Sequence, residues 1–85
     1  MSNYSEALSF YEKALEIRRE RPPSNHSDLA LSYSNIASVH SHMVDHSKAL
    51  QFYEKALEIR REMLPVNHPE IQVLEKIVEL TKTKL

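Results

Sequence analysis

Apolar residues recur at helical spacing along almost the entire chain. Tyr4, Ala7, Leu8, Tyr11, Ala14 and Leu15 follow the i, i+3, i+4, i+7 rule that gathers side chains on one helical face, which predicts an amphipathic first helix. Asn3 just before it and Glu6 three residues on form a capping-box pattern, able to satisfy N–H groups that a helix start leaves open. Pro22 and Pro23 end it, because proline has no N–H to donate and its ring clashes with the preceding turn. A second helix is predicted from about His26 to Met43, with Leu29, Tyr33, Ile36, Ala37, His40 and Met43 on its inner stripe. Asp45 is placed to cap a third helix, which stops before Pro65. Pro69 suits the first turn of a fourth, where its missing N–H costs nothing, and that helix carries Ile71, Leu74, Ile77, Val78, Leu80 and Leu85. The expected fold class is all-α, with about four helices.

Self-similarity organises these helices. The block Phe10–Glu20 recurs without a change as Phe52–Glu62, a period of about 42 residues from Tyr11 to Tyr53, within the range of helical solenoids. Ala7 and Leu8 match Ala49 and Leu50, and Pro23, Asn25 and His26 match Pro65, Asn67 and His68. A generic amphipathic bundle explains the apolar stripes but not alanines, tyrosines and prolines matched at one offset. The alanines fall where helices would cross, and a small side chain there lets the axes approach. The chain is read as one domain, 1–85, made of a first unit 1–42 and a second unit 43–85.

Composition narrows the function. Glycine is absent, so no phosphate-cradling loop of the P-loop or dinucleotide-binding kind can form. Cysteine is absent too, which removes disulfides and thiolate metal sites. A formal net charge of −1 with interspersed signs offers no basic stripe for nucleic acid. No apolar run approaches the ~20 residues that span a bilayer, and the polar start Met1–Glu6 is unlike a signal peptide. The expectation is a soluble cytoplasmic protein with no cofactor, no nucleic-acid partner and no membrane partner. Eighty-five residues bury only a thin core. Stability must then come from helix packing, a partner or self-association.

The residues Tyr33-Ser34-Asn35-Ile36-Ala37-Ser38-Val39-His40, the set Ala49…Tyr53…Ala56, and the connectors Asn25-His26-Ser27-Asp28 and Asn67-His68-Pro69-Glu70 closely resemble the tetratricopeptide family, in the longer variety seen in kinesin light chains. The resemblance implies a solenoid of helical hairpins acting as a non-catalytic scaffold. Such a scaffold binds extended peptides or proteins along the concave face made by first helices. Carried onto this sequence, that face comprises Leu31, Ser34, Asn35, Ser38 and His42. Asn35 leads the set, since a carboxamide can pair with both a peptide N–H and a C=O. The chain opens on a second-type helix and closes on a first-type one. In the last helix Ile77 stands in place of the asparagine and Glu79 in place of the alanine, so the peptide site is not copied there.

Val44 stands where this family's turn normally carries glycine. A left-handed backbone costs an ordinary residue roughly 1–2 kcal/mol and a β-branched one more. One expectation is therefore that Ser41–Lys48 stays helical, fusing the second and third helices into a rod that packs against another chain as a domain-swapped dimer. Leu8, Ala14 and Leu15 at one end, and Val73, Ile77 and Leu80 at the other, suggest uncapped apolar surface. Self-association as a homo-oligomer is thus the alternative function, by swapping or by end-to-end stacking.

Other chemistry has little support. His42 and His46 are four apart with Asp45 beside them, yet no His-Glu-x-x-His arrangement is present, and no metal site is assigned. No serine is paired with a positioned base and oxyanion donors, so no catalytic residue is assigned and no enzyme is expected. The pairs Arg18-Arg19 and Arg60-Arg61 read as last-turn cations opposing the helix dipole.

Overall fold

The computed structural model describes residues 3–20 and 26–85, and among them the side chains of 3–17, 19 and 29–85. The described residues form four helices: α1 (Tyr4–Glu20), α2 (His26–His42), α3 (His46–Met63) and α4 (Pro69–Lys82). Among them, the helices pack chiefly on their neighbours in sequence: α1 on α2, α2 on α3, α3 on α4. Nearest-neighbour packing of this kind defines a helical solenoid.

Local chemistry sets the helix starts. The Asn3 side chain accepts the Glu6 N–H at 3.1 Å, and the Asp45 side chain accepts the Lys48 N–H at 3.2 Å. Both satisfy donors that the first helical turn cannot pair internally. Pro69 lies in the first turn of α4, and His68 caps it through Nδ1, which accepts the Glu70 N–H at 3.1 Å. The expected stop at Pro22 and Pro23 and the connector at Asn25 lie outside the described residues.

Most of the packing is between α2 and α3. Ala30, Ile36, Ala37, Ala49 and Ala56 are fully covered. Phe52 of α3 stacks on Tyr33 at 6.1 Å and on His40 at 5.6 Å, so the stripe Ala30–Tyr33–Ala37–His40 is the face of α2 turned toward α3. Alanine on that stripe lets the two helix axes come close, since interaxial distance follows side-chain size at the contact. A second cluster, Ala56, Leu57, Ile71, Leu74 and Val78, joins α3 to α4 with Leu50 and Tyr53 against it. Arg60 reaches Glu70 at 3.2 Å and Arg61 reaches Glu75 at 2.8 Å. The arginine pair therefore ties α3 to α4, a role beyond its place in the last turn.

The expected fusion of α2 and α3 through Val44 is not what the chain does. Helix α2 stops at His42, and Val44 takes φ 62°, the left-handed region, despite its branched side chain. The Asp45 N–H bonds to the His40 carbonyl at 2.8 Å and the Val44 N–H to the Ser41 carbonyl at 3.0 Å. This is the paired C-terminal hydrogen-bond arrangement that normally recruits glycine. Tertiary packing overrides the local cost. Fully burying one side chain the size of Ile36 is worth about 1.5–3 kcal/mol, more than the roughly 1–2 kcal/mol of a left-handed residue. Val44→Gly is accordingly expected to stabilise the chain by about 1 kcal/mol, raising the melting temperature by about 4–8 °C. An unchanged or lowered melting temperature would contradict a strained turn.

The two ends differ: of the residues expected to be bare, Val73 and Leu80 at the α4 end are exposed, whereas Leu15 at the α1 end is buried. At the α1 end Leu15 is buried, and Leu8 and Ala14 are half-buried. The bare apolar residues there are Phe10 and Ile17, 70% and 54% exposed. At the α4 end, the positions one period after Ala30, Tyr33, Ala37 and His40 are Gln72, Glu75, Glu79 and Lys82. The surface of α4 that corresponds to the α3-facing stripe of α2 is therefore polar. Val73 and Leu80 are exposed on other faces of the helix.

Candidate partner-binding face

Leu31, the adjacent pair Ser34 and Asn35, Ser38 and His42 follow one another along α2 with three or four positions from each to the next group, one continuous strip. Leu31 is exposed, whereas Ser34, Asn35 and Ser38 are half-buried. Ser34 opens onto a groove of about 330 Å³ that it shares with Arg60, Pro69, Glu70, Val73, Leu74 and Ile77. The groove is thus walled by α2 on one side and α4 on the other, with Arg60 of α3 between them. Its α4 wall is apolar apart from Glu70.

The lower part of the strip is differently engaged. Ser38 is hydrogen bonded through its side chain to the Tyr53 phenol. The His42 ring nitrogen Nδ1 donates to the Ser38 carbonyl at 2.7 Å, and the His42 ring stacks on Tyr4 at 5.6 Å. Ser38 and His42 therefore connect α2 to α3 and α1, while Leu31, Ser34 and Asn35 lie nearer the groove along the strip. Arg60, Val73 and Ile77 were not among the predicted binding residues. Their signal in the sequence was present only as the apolar i, i+4 pair Val73 and Ile77, which the core reading of α4 absorbed in part.

Burial pushes the Tyr53 phenol above its ordinary value of 10.0, and the Ser38 hydrogen bond partly opposes this. Below about pH 10 the phenol is protonated in both folded and unfolded chains and contributes no slope. Above it the unfolded chain ionises first, so stability falls as pH rises. Tyr53→Phe should flatten the alkaline limb of a melting-temperature profile above about pH 10. A limb of unchanged steepness would place its origin elsewhere.

Among the described residues no group of three or more His, Cys, Asp or Glu side chains is placed to hold a metal ion. His40 is buried with its Nδ1 unpaired, and its ring lies almost parallel to Phe52 at 7°. It fills the core and coordinates nothing described. No described helix is long and apolar enough to cross a membrane.

Stacked helical hairpins with a groove between alternate helices define the class: a helical-repeat scaffold. The tetratricopeptide repeat family model matches residues 1–62, and the chain belongs to the tetratricopeptide repeat family. No curated protein matches the chain, and no solved structure does. Helix α4 lies beyond the matched residues, in keeping with its departures from the repeat at Glu75, Ile77, Glu79 and Lys82.

Proposed function

We propose that the chain is a cytoplasmic protein-interaction scaffold that takes an extended peptide, or a protein segment, along the α2–α4 face, with no chemistry of its own. The observation that carries this reading is the groove where Ser34 of α2 meets Val73 and Ile77 of α4. Concave, mostly apolar surfaces with a few polar groups are where ligands gain both affinity and orientation. Asn35 supplies a two-sided hydrogen-bonding group to a peptide backbone, Leu31 an apolar contact, and Arg60 a cation already paired with Glu70. Ser38 and His42 complete the face at its far end.

Peptides selected from a displayed random library on the immobilised chain test the reading. Asn35→Ala should weaken them about five- to tenfold, the value of one buried hydrogen bond, and Ile77→Asp by more. Peptides that bind both variants as well as the parent chain would sink it.

The alternative, a homodimer exchanged through the Val44 turn, has one supporting observation: the left-handed, 74% exposed valine. Opening the turn would relieve that strain and rebuild the α2–α3 contact between two copies. Light scattering should then find a dimer that Val44→Gly converts to monomer. A monomer in both chains at high concentration ends this reading. End-to-end stacking has less support, because α4 would have to offer Glu75 and Glu79 where α2 offers Tyr33 and Ala37.

A further inference from the structure

Two opposite charges stand in the groove between α2 and α4. Among the described residues that line it, Arg60 brings the positive charge and Glu70 the negative one. They are paired: Arg60 Nη1 donates to Glu70 Oε2 at 3.2 Å. The Arg60 side chain is 16% exposed and that of Glu70 56% exposed. Arg60 is thus the inner member of the pair and Glu70 the outer one.

A guanidinium left alone in an apolar groove is a receptor for a carboxylate, because its donors form a fixed fork and its charge is poorly screened there. Here the ion pair removes that role. A ligand carboxylate that approached Arg60 would also approach Glu70, and like charges brought together repel. What stays open belongs to Glu70. Its Oε2 bonds Arg60 and lies 3.9 Å from His68 Nδ1, and its backbone N–H donates to the same His68 nitrogen. Its Oε1 takes part in neither ion pair and is left for a donor at the groove rim.

Given that the α2–α4 groove is the binding face, on which this assignment rests, we infer that Glu70 sets its specificity. The occupant is a segment with a bulky apolar side chain and, beside it, a lysine or arginine in place of any carboxylate. The apolar side chain enters against Val73, Leu74 and Ile77, and the cation meets Glu70 Oε1. At about 330 Å³ the groove is at the small end of ligand sites, enough for one bulky side chain with its backbone.

Selection from a displayed random peptide library, run in parallel on the parent chain and on Glu70→Gln, tests the assignment. Glutamine keeps the shape of the side chain and removes its charge, so Arg60 loses its counter-ion. Peptides selected on the parent should carry Lys or Arg beside a large apolar residue. Those selected on Glu70→Gln should carry Asp or Glu there instead. In the tightest parent peptide, made synthetically, exchange of the basic residue for glutamate should weaken binding to the parent by about fivefold or more, since an attraction becomes a repulsion. The same exchange should leave binding to Glu70→Gln unchanged or tighten it. Helix content should be that of the parent, because Glu70 is more than half exposed. Arg60→Gln gives an independent check: it leaves Glu70 in place, and the preference for a basic residue should persist. Equal preferences on the parent and Glu70→Gln overturn the role of Glu70 and leave the groove reading standing. So does selection of acidic peptides by the parent, or loss of the basic preference with Arg60. Peptides whose binding ignores Ile77→Asp overturn both.

Discussion

Ala37→Glu should unfold the chain. Ala37 has no exposed surface, and it sits between Tyr33 and His40 on the stripe of α2 that faces α3. A glutamate there has no room and no partner. Overpacking alone costs about 1–3 kcal/mol, and an unpaired buried carboxylate costs several more or takes up a proton. A chain this small holds only about 5 kcal/mol in total. Circular dichroism should show loss of most helical signal at room temperature and neutral pH. The control lies one period later. Glu79 occupies the matching position of α4 with its side chain 74% exposed, 3.6 Å from Lys82. Glu79→Ala should therefore change stability by no more than about 0.5 kcal/mol. A folded Ala37→Glu chain would mean that α2 and α3 do not meet along this stripe.

The second large effect compares two phenylalanines in identical local sequence. Phe52→Ala should cost about 3 kcal/mol, since it removes a ring packed between Tyr33 and His40 and leaves a gap behind. Phe10→Ala should cost less than about 0.5 kcal/mol, because its ring is already in solvent. Helix propensity and unfolded-state effects are nearly the same at the two sites, so the difference isolates tertiary contact. Denaturant titration of both variants measures it. Equal costs would contradict the asymmetry between α1 and α3.

Much of this architecture was legible in the residues. The four helices, the Asn3 and Asp45 caps, the place of Pro69 and the interior position of His40 all follow from spacing and capping chemistry, which are local. What depended on distant neighbours was harder to read. Val44 could be recognised as wrong for its turn. Whether the turn would form depended on how much α2 and α3 gain by packing, and no local rule contains that. Each second-type helix has two apolar stripes, and a helical wheel ranks them equally. Only the fold shows that Leu15 is covered while Phe10 is not. Arg60 and Arg61 looked like dipole partners because Glu70 and Glu75 reach them only across a helix pair. The polar stripe of α4 was visible at Glu79 but became a pattern only when Tyr33 and His40 were seen against Phe52. For the binding face, the strip along α2 was readable. Its opposing wall, Val73 and Ile77, was not, because the strip and the wall belong to helices that are not neighbours in sequence.

The central claim is that a partner lies between α2 and α4. The most direct measurement is a chemical-shift map of the isotope-labelled chain during titration with the tightest peptide selected on it. The account predicts the largest changes at Ser34, Asn35, Val73 and Ile77, with Phe10 and Ile17 unmoved. Largest changes on the outer surface of α3 and α4, at Glu54, Glu58 and Glu79, would contradict it.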